Sequence, residues 1–241
     1  MISIISPVYN SKDVLNKLVK KINFYTRKIT KNFELILIDD CSKDKSWNEI
    51  KKLKKKYKFI KGLKLDKNYG QHKAISIGIR ESKKDLIIVM DCDLQDNPKH
   101  IIDMIKLYKE KKHPVIIHNI YELNLRRFVS KIFWFFLKII SFKNFNQNFG
   151  NYILIDKKIK KKYISLKNNN YYYGDLLNLK IKFQSLKRDR GQSLRKLGTT
   201  YNFVKLFFMG LTLIKTYNFL TSNLKFLQKK KFQKITVVEI I

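Results

Sequence analysis

Apolar runs and polar clusters alternate regularly through the first half of the chain. Five apolar runs of five to seven residues are rich in β-branched side chains, which is typical of strands buried in a parallel sheet. They are ISIIS (2–6), ELILI (34–38), FIKGLKL (59–65), DLIIVM (85–90) and PVIIH (114–118). Between them, apolar residues recur at helical spacing, as in Leu15, Leu18 and Ile22. The pattern predicts an α/β fold, with a Rossmann-like, mostly parallel sheet flanked by helices.

The second half of the chain has a weaker pattern. NYILID (151–156) and IKFQSLKR (181–188) resemble strands, whereas residues 125–142 and 194–227 have helical patterns with many aromatic side chains. We therefore expect the fold to end in a helical appendage. The expected divisions are 1–118, 119–193 and 194–241.

Polar clusters follow the first four predicted strands. They are PVYN (7–10), DDCS (39–42), DKNYG (66–70) and DCDLQD (91–96). In open α/β sheets, ligands bind in the crevice outside the carboxyl ends of the strands. The sequence therefore predicts that all four clusters line one binding crevice.

The last cluster contains a D-x-D pair directly after a buried strand. Asp91 and Asp93 are one residue apart, so on an extended segment their side chains point to the same side. Two hard oxygen donors suit Mg²⁺ or Mn²⁺, which also accept phosphate oxygens as ligands. The alternative is helix capping, which fits Asp96 or Asn97 before Pro98 as the first helical residue but does not explain the D-x-D pair.

The charge of the chain is strongly positive, with 52 Lys and Arg against 19 Asp and Glu. This excess permits nucleic acid, anionic lipid or phosphorylated substrates as partners. A nucleic-acid-binding module would leave the paired acids unexplained, because they would repel a phosphate backbone. We therefore do not expect nucleic acid as a partner.

Cysteine usage and hydropathy bear on the location of the protein. Cys41 and Cys92 are far apart in sequence and form no C-x-x-C pair, which fits a reducing cytoplasm. The first residues lack the pattern of a secretory signal. The longest apolar stretches, 132–142 and 203–220, are interrupted by lysine and shorter than the ~20 residues that a membrane span needs. Residues 201–220 mix bulky apolar side chains with Lys205 and Lys215, so we expect this segment to make peripheral contact with the inner face of the cytoplasmic membrane, and the alternative is a buried core helix.

Four segments of the first half resemble a known family. SPVYNSKDVL, FELILIDDCSKDKS, LDKNYGQHKAISIGI and DLIIVMDCDLQDNPKHI are similar to the motifs of family 2 glycosyltransferases of the GT-A fold. The likeness is greatest to the branch containing dolichyl-phosphate mannosyltransferase and bacterial polyprenyl-phosphate glycosyltransferases. It implies a nucleotide-sugar-binding half (1–118), an acceptor half (119–193) and a membrane-proximal C-terminal segment (194–241).

The resemblance also implies roles for individual residues on the donor side. Asp91, Asp93 and Gln95 match positions that bring Mg²⁺ or Mn²⁺ to the diphosphate, and Asp40 matches a position that holds the nucleotide base, as do Pro7 and Tyr9. Asp39 and Asn68 match positions near the nucleoside. Structural roles remain open, since Pro7 could merely end a strand, Gly70 could merely permit a turn, and the acid pair could cap a helix. The full expected donor set is Pro7, Tyr9, Asn10, Asp39, Asp40, Asn68, Gly70, Asp91, Cys92 and Asp93.

The acceptor side resembles the family less closely. LKRDRGQSLRKL is similar to the family's R-x-x-G-x-S-K element, which implies that Arg188, Arg190 and Ser193 bind an acceptor phosphate. The alternative is a solvated basic loop. NFGNYILIDKKI (148–159) is similar to a D-G-D-F-R-L-x-D stretch, but Asn151 stands where an Asp is usual and Ile153 where an Arg is usual.

The implied activity is an inverting, metal-dependent transfer of a sugar from a nucleotide-diphosphate sugar to a polyprenyl phosphate, with Asp93 and Arg188 as catalytic residues. A phosphate acceptor is already ionised at neutral pH and needs no general base. Acidic residues are scarce after residue 118, which favours such an acceptor. The alternative acceptor is a hydroxyl of a surface polysaccharide or its lipid-linked precursor, in which case Asp156 and Asp175 are the candidate bases.

Overall fold

A computed structural model of the chain describes residues 1–120, 151–166, 172, 175, 176, 179, 181–189 and 235–241. Apart from Ile120, these residues belong to one compact unit composed of 1–119, 150–196 and 235–241. The helices expected over 125–142 and 194–227 lie outside the described residues, as do Arg190 and Ser193. Within the described ranges, no helix combines the length and the apolar character needed to cross a bilayer.

The described residues form one sheet of eight strands, in the spatial order β7-β5-β6-β4-β1-β2-β3-β8. β1 pairs in parallel with β2 and β4, and β2 pairs in parallel with β3. All seven residues of β1 are buried, as expected for a central strand covered on both faces. The strands are β1 (Ile2–Val8), β2 (Phe33–Asp39), β3 (Ile60–Leu65), β4 (Leu86–Val89), β5 (Val115–Ile120), β6 (Ile153–Asp156), β7 (Gln184–Asp189) and β8 (Val237–Ile240).

Helices cover both faces of this sheet. The described helices are α1 (Lys12–Arg27), α2 (Ser46–Lys56), α3 (Gln71–Glu81), α4 (His100–Lys111) and α5 (Lys157–Ile164). Apolar side chains of α1, α2 and α4 share one buried cluster with Ile4 and Leu37 of the sheet. α3 packs on the opposite face, where Gly78 lies against Ile5 and Ile38. The α/β prediction is confirmed, and the sheet is mixed at its flanks.

Two strands run against the direction of the central ones. β6 lies between β4 and β5 and is antiparallel to both, with Leu86 opposite Asp156 and Ile116 opposite Ile153. β8 is antiparallel to β3 at the other end of the sheet. The expectation of a helical segment over 194–241 is therefore wrong for residues 237–240, because these residues complete the sheet.

Candidate functional site

The segments after β1 and β2 are joined by hydrogen bonds between backbone N–H groups and side-chain oxygens at the carboxyl ends of these strands. The Asn10 side-chain oxygen accepts from the backbone N–H of Lys43 at 2.7 Å, and the Asn10 N–H donates to Ser42 Oγ at 2.9 Å. The Ser11 N–H donates to Ser46 Oγ at 2.9 Å. Asn10, which we expected to contact the nucleotide sugar, thus holds the two loops together, and its contact with a ligand stays a prediction.

Left-handed backbone conformations cluster around the same crevice. Asn10, Cys41 and Leu94 have φ values of 48°, 56° and 65°, and each lies in the loop that follows β1, β2 or β4. Non-glycine residues in this region cost roughly 1–3 kcal/mol, so they persist only where the surrounding structure imposes them, often at functional sites. Their position agrees with the crevice predicted from the polar clusters.

Asp39 is fully buried at the end of β2 and is only partly satisfied. Its Oδ2 accepts a long hydrogen bond of 3.4 Å from the Ser42 N–H, whereas Oδ1 has no hydrogen-bond partner among the described residues. Burial is the main cause that raises the pKa of this carboxyl above its ordinary value of 3.8. A buried acceptor without a donor is costly, so Asp39 is suited to receive an N–H or O–H from a ligand.

Asp40 is also buried, but both of its oxygens accept backbone hydrogen bonds. Oδ1 accepts from the Tyr69 N–H at 2.7 Å and Oδ2 from the Gly70 N–H at 2.8 Å. Burial raises the pKa of Asp40, and these two bonds oppose the rise. Gly70 has a φ of 88°, a conformation that favours glycine. Asp40 therefore anchors the β3–α3 loop (66–70), which carries the exposed Asn68.

Asp91 receives side-chain amide hydrogen bonds from two directions. Gln71 Nε2, at the start of α3, lies 2.5 Å from Asp91 Oδ1, and Asn151 Nδ2, just before β6, lies 3.4 Å from the same oxygen. Neither residue is among those that the sequence predicts for the site. The available signals were the position of Gln71 directly after the polar cluster DKNYG and the amide at 151 in place of the usual acid.

The placement of Gln71 is supported by its neighbour on α3. The His72 ring stacks on the buried Tyr172, with ring centroids 6.4 Å apart and planes inclined by 26°. Burial lowers the pKa of His72 to about 4, so this ring is neutral at physiological pH. The stack fastens the first turn of α3, from which Gln71 reaches Asp91.

The D-x-D loop is stabilised by a third carboxylate. Asp96 is 4% exposed, and its Oδ2 accepts from the Asp91 N–H at 2.9 Å. Asp93 Oδ1 accepts from the Gln95 N–H at 3.0 Å. The buried Tyr152 hydroxyl of the segment before β6 donates to the Asn97 carbonyl at 3.0 Å. Two of these bonds lie within the loop between β4 and α4, and the third joins this loop to the segment before β6.

The capping hypothesis for this loop is corrected by the structure. α4 begins at His100, not at Pro98, and Asp96 binds Asp91 rather than the helix terminus. Asn97 Oδ1 accepts from the Lys99 N–H at 3.1 Å within the preceding turn. Asp96 is therefore a support of the D-x-D loop.

Three other residues of the expected donor set also lie at this edge of the sheet. Pro7 is buried within β1 opposite Ile38, and since the strand continues to Val8, Pro7 does not end it. Tyr9 follows β1 and is partly exposed. Cys92 is 7% exposed, and its Sγ donates to Ser11 Oγ at 3.3 Å. Direct contact of these residues with a ligand stays a prediction.

The donor atoms of the D-x-D loop fit a divalent cation that is shared with a ligand. Asp91 and Asp93 are partly exposed carboxylates in one turn. Within the described part of the chain, no group of three or more His, Cys, Asp or Glu side chains could hold a metal ion. Mg²⁺ and Mn²⁺ do not need a complete protein cage, because they retain waters and bind phosphate oxygens. The role expected for Gln95 in this set stays a prediction.

The expected acceptor residues are only partly described. Arg188 of β7 lies with Nη2 3.4 Å from Asp103 Oδ2, on the first turn of α4. Asp156 caps α5 through a 2.9 Å bond from the Ile159 N–H, and its other oxygen accepts from the Tyr108 hydroxyl at 3.1 Å. Asp156 therefore has a structural role.

The mixed sheet, with acidic loops at the carboxyl ends of its parallel strands, is a GT-A fold. The sequence model of the family described as "Glycosyl transferase family 2" matches residues 3–173. The chain belongs to this family.

Two similar proteins of known name are undecaprenyl-phosphate 4-deoxy-4-formamido-L-arabinose transferases. The protein of Photorhabdus laumondii is 37% identical over 106 residues, which cover 44% of this chain and 33% of the relative. That of Shewanella sediminis is 35% identical over 134 residues, covering 54% of this chain and 40% of the relative. The matched region thus spans less than half the length of either relative.

Solved structures show the same fold at low sequence identity. Glucosyl-3-phosphoglycerate synthase from Mycobacterium tuberculosis, in complex with Mn²⁺, uridine diphosphate and glucosyl-3-phosphoglycerate, has a TM-score of 0.64 at 14% identity, covering 92% of this chain and 79% of that one. A mannosyltransferase from Pyrobaculum calidifontis, in complex with GDP-mannose and Mn²⁺, has a TM-score of 0.56 at 10% identity, covering 82% and 58%. These likenesses concern the fold alone.

Proposed function

We propose that this chain is an inverting glycosyltransferase that moves a sugar from a nucleotide-diphosphate sugar to a polyprenyl phosphate. The proposal is supported by two acidic sites at the strand ends. One is Asp39, a buried carboxylate with one oxygen that lacks a hydrogen-bond partner among the described residues, and the other is the D-x-D pair of Asp91 and Asp93. The first suits a nucleoside, and the second suits a cation on a diphosphate.

Donor recognition is assigned to the crevice at the ends of β1 and β2. Asp39 Oδ1 accepts an N–H or O–H of the nucleoside, which satisfies the buried acceptor and offsets part of its desolvation cost. Asp40 affects the nucleoside indirectly, because it holds the β3–α3 loop that carries Asn68 and Gly70. This assignment differs from the expectation that Asp40 itself holds the base.

The D-x-D pair is assigned to the diphosphate. A divalent cation bound by Asp91 and Asp93 would offset the negative charge that develops on the leaving nucleoside diphosphate. Gln71 and Asn151 orient the Asp91 carboxylate by donating to Oδ1. Asp96 fixes the backbone of the loop, so both carboxylates are placed before the donor arrives.

The names of the two relatives support a polyprenyl-phosphate acceptor. A phosphate monoester has a second pKa near ~6, so its oxygen is ionised at neutral pH and can attack the anomeric carbon directly. The attack displaces the nucleoside diphosphate in a single step and inverts the anomeric centre. Asp156, a candidate base for a hydroxyl acceptor, is occupied by the α5 cap and Tyr108.

A lipid acceptor requires contact with a membrane surface. The formal charge of +33 favours the anionic inner leaflet of the cytoplasmic membrane. Arg188, with Arg190 and Ser193 close in sequence, is assigned to the acceptor phosphate because a guanidinium can bind it with two parallel hydrogen bonds. The ion pair of Arg188 with Asp103 would then be exchanged for the phosphate.

Donor binding is tested by thermal shift with UDP-, GDP- and dTDP-sugars, each with and without Mn²⁺. A ligand of the folded state raises the melting temperature. We expect one nucleotide class to raise it, more strongly with Mn²⁺, and we expect Asp39→Asn to reduce that rise. No shift with any of these donors would contradict the proposal.

Acceptor binding is tested with Arg188→Ala and Arg188→Lys. We expect Arg188→Ala to raise the undecaprenyl phosphate concentration needed for half-maximal transfer while donor binding changes little. Arg188→Lys should restore only part of the loss, because lysine offers a point charge in place of a planar fork. An unchanged acceptor requirement in Arg188→Ala would remove Arg188 from the acceptor site.

A further inference from the structure

The C-terminal strand β8 borders the loop that Asp40 anchors. β8 pairs with β3, and the β3–α3 loop begins directly after β3. The Asp66 N–H donates to the Thr236 carbonyl at 3.2 Å. The Tyr69 hydroxyl makes hydrogen bonds with the Asp66 side chain and with the Thr236 backbone N–H. Thr236, just before β8, therefore contacts both the beginning and the end of this loop.

A β-bulge brings Thr236 to this position. Leu63 lies opposite Ile240 and Lys64 opposite Glu239, but Leu65 lies opposite Val237, so β8 contains one extra residue. Bulges bend the strand and redirect the residues next to them, and they are frequent at sheet edges near active sites. Here the bulge lies at the end of β3 from which the loop leaves.

β8 is held firmly along the rest of its length. The Trp47 Nε1–H of α2 donates to Glu239 Oε2 at 2.7 Å, and Lys51 Nζ lies 3.9 Å from Glu239 Oε1. Gly62 and Ile241 exchange two backbone hydrogen bonds of 2.9 and 3.0 Å. A Cβ atom at Gly62 would lie only 2.7 Å from Ile241 Cγ1, so the glycine permits this close packing.

The opposite side of the loop is held by the end of β2. Asp40 accepts from the Tyr69 and Gly70 N–H groups, and Cys41 Sγ lies 3.7 Å from the Asp66 carbonyl oxygen. The loop is thus fixed between the end of β2, where Asp40 directly follows the strand, and β8, which is distant in sequence. A change in the attachment of β8 must alter the loop that faces the nucleotide crevice.

We propose that β8 is a positioning element of the nucleotide site, with Thr236 and Glu239 as positioning residues. Glu239 fixes the strand to α2, and Thr236 transmits that placement to Asp66 and Tyr69. The Tyr69 and Gly70 amides then remain directed at Asp40. This placement of the loop sets the affinity for a nucleoside diphosphate. This inference rests on the proposed function of the crevice.

The test uses two disrupting variants and two matched controls. Glu239→Ala removes the acceptor of Trp47, whereas Glu239→Gln keeps an oxygen that can accept the same bond. Tyr69→Phe removes the hydroxyl that contacts Thr236 but keeps the amide that Asp40 binds. Ile240→Thr alters a side chain of β8 that is 58% exposed. Hydrogen exchange at the Tyr69 and Gly70 amides, and the Kd of UDP, GDP and dTDP with Mn²⁺, are measured for each.

We expect Glu239→Ala and Tyr69→Phe to accelerate exchange at both loop amides and to weaken nucleoside diphosphate binding by about two- to tenfold, the loss typical of one hydrogen bond. Glu239→Gln should retain most of the affinity, and Ile240→Thr should match the parent. Tyr69→Phe keeps the test valid if Glu239→Ala fails to fold. Normal loop exchange and normal affinity in both disrupting variants would overturn the inference.

The two proposals fail in different ways. If the parent protein binds none of UDP, GDP and dTDP, the proposed function is contradicted, and the loop exchange rates alone then decide the structural coupling. If the parent binds one of them and a loosened β8 leaves both the loop and the Kd unchanged, the proposed function stands and the coupling is overturned.

Discussion

Asp39 combines the desolvation cost of burial with an oxygen that lacks a hydrogen-bond partner among the described residues, a combination that a structural cap does not explain. A fully buried carboxylate whose pKa is raised is less stable in its charged form than it is in the unfolded chain. Its stabilising contribution is complete below the ordinary pKa of 3.8 and is lost as the pH rises through the higher pKa of the folded state. At neutral pH the folded protein therefore bears an electrostatic cost at this position.

Asp39→Asn should thus stabilise the protein and impair binding at the same time. At pH 7.5 we expect the melting temperature to rise by about 2–4 °C, the shift that 1 kcal/mol causes in a domain of this size, while nucleotide affinity falls about tenfold. The gain should vanish as the pH approaches 3.8. Calorimetry and titration measure both, with the exposed Asp13→Asn as the control for net charge. A lower melting temperature with unchanged affinity would assign Asp39 a purely structural role.

Gln71 is the residue whose role the sequence indicated least. Its amide lies 2.5 Å from Asp91 Oδ1, and a hydrogen bond to a charged group contributes about 1.5–3 kcal/mol. We expect Gln71→Ala to lower metal-dependent turnover by roughly 10- to 100-fold and to raise the Mn²⁺ concentration for half-maximal activity. Asn151→Ala should have a smaller effect, because its contact is 3.4 Å. Equal Mn²⁺ requirements in parent and Gln71→Ala would contradict this role.

At the level of elements, the β4–α4 loop is closed by a hydrogen bond from the Asp91 N–H to the Asp96 side chain. Asp96→Ala would leave the Asp91 N–H without its acceptor, so we expect the free energy of unfolding to fall by about 1–3 kcal/mol. Turnover should fall more than nucleotide affinity does. Asp96→Asn should restore most of both losses, since an amide oxygen can accept the same bond. Full activity in Asp96→Ala, measured alongside urea unfolding, would show that the loop needs no such support.

The packing of α3 on the sheet decides whether Gly78→Ala stabilises or destabilises the protein. Replacing a helical glycine by alanine at an exposed site normally stabilises a helix by about 1 kcal/mol. At Gly78, the added Cβ would lie 2.5 Å from Ile5 Cγ2 and 2.9 Å from Ile38 Cδ1. We therefore expect Gly78→Ala to destabilise the protein by about 1–3 kcal/mol in urea unfolding. Stabilisation would show that α3 can move away from the sheet without cost.

In the whole molecule, local patterns predicted where the strands lie better than they predicted which strands pair with each other. Runs rich in apolar residues identified β1 to β5 because most of their described side chains are buried, and the polar cluster after each of the first four marked the site. The insertion of β6 between β4 and β5 depends on pairing between distant segments, which no local pattern records. The β-branched run of β8 is visible in TVVEI (236–240), but it follows a segment with a helical pattern, which favours one helical segment over both.

The roles within the site were predictable only in part for the same reason. The types of residue in the D-x-D and Asp-Asp pairs indicated their chemistry. Asp39 and Asp40 have different roles because the β3–α3 loop directs its Tyr69 and Gly70 N–H groups at Asp40. The contact of Gln71 with Asp91 joins the start of α3 to the β4–α4 loop, between residues that are 20 positions apart. Such contacts follow from the assembled sheet and not from spacing along the chain.

A transfer assay tests most directly whether the protein moves a sugar to a polyprenyl phosphate. It uses the purified protein, Mn²⁺, labelled nucleotide sugar and one of two acceptors. The acceptors are undecaprenyl phosphate and a lipid-linked oligosaccharide that lacks a phosphate monoester, and Asp93→Asn is the isosteric control. We expect label to move to undecaprenyl phosphate with the parent protein, and we expect Asp93→Asn to fold but to transfer almost none. Label transferred only to the oligosaccharide, or equal transfer by Asp93→Asn, would contradict the proposed function.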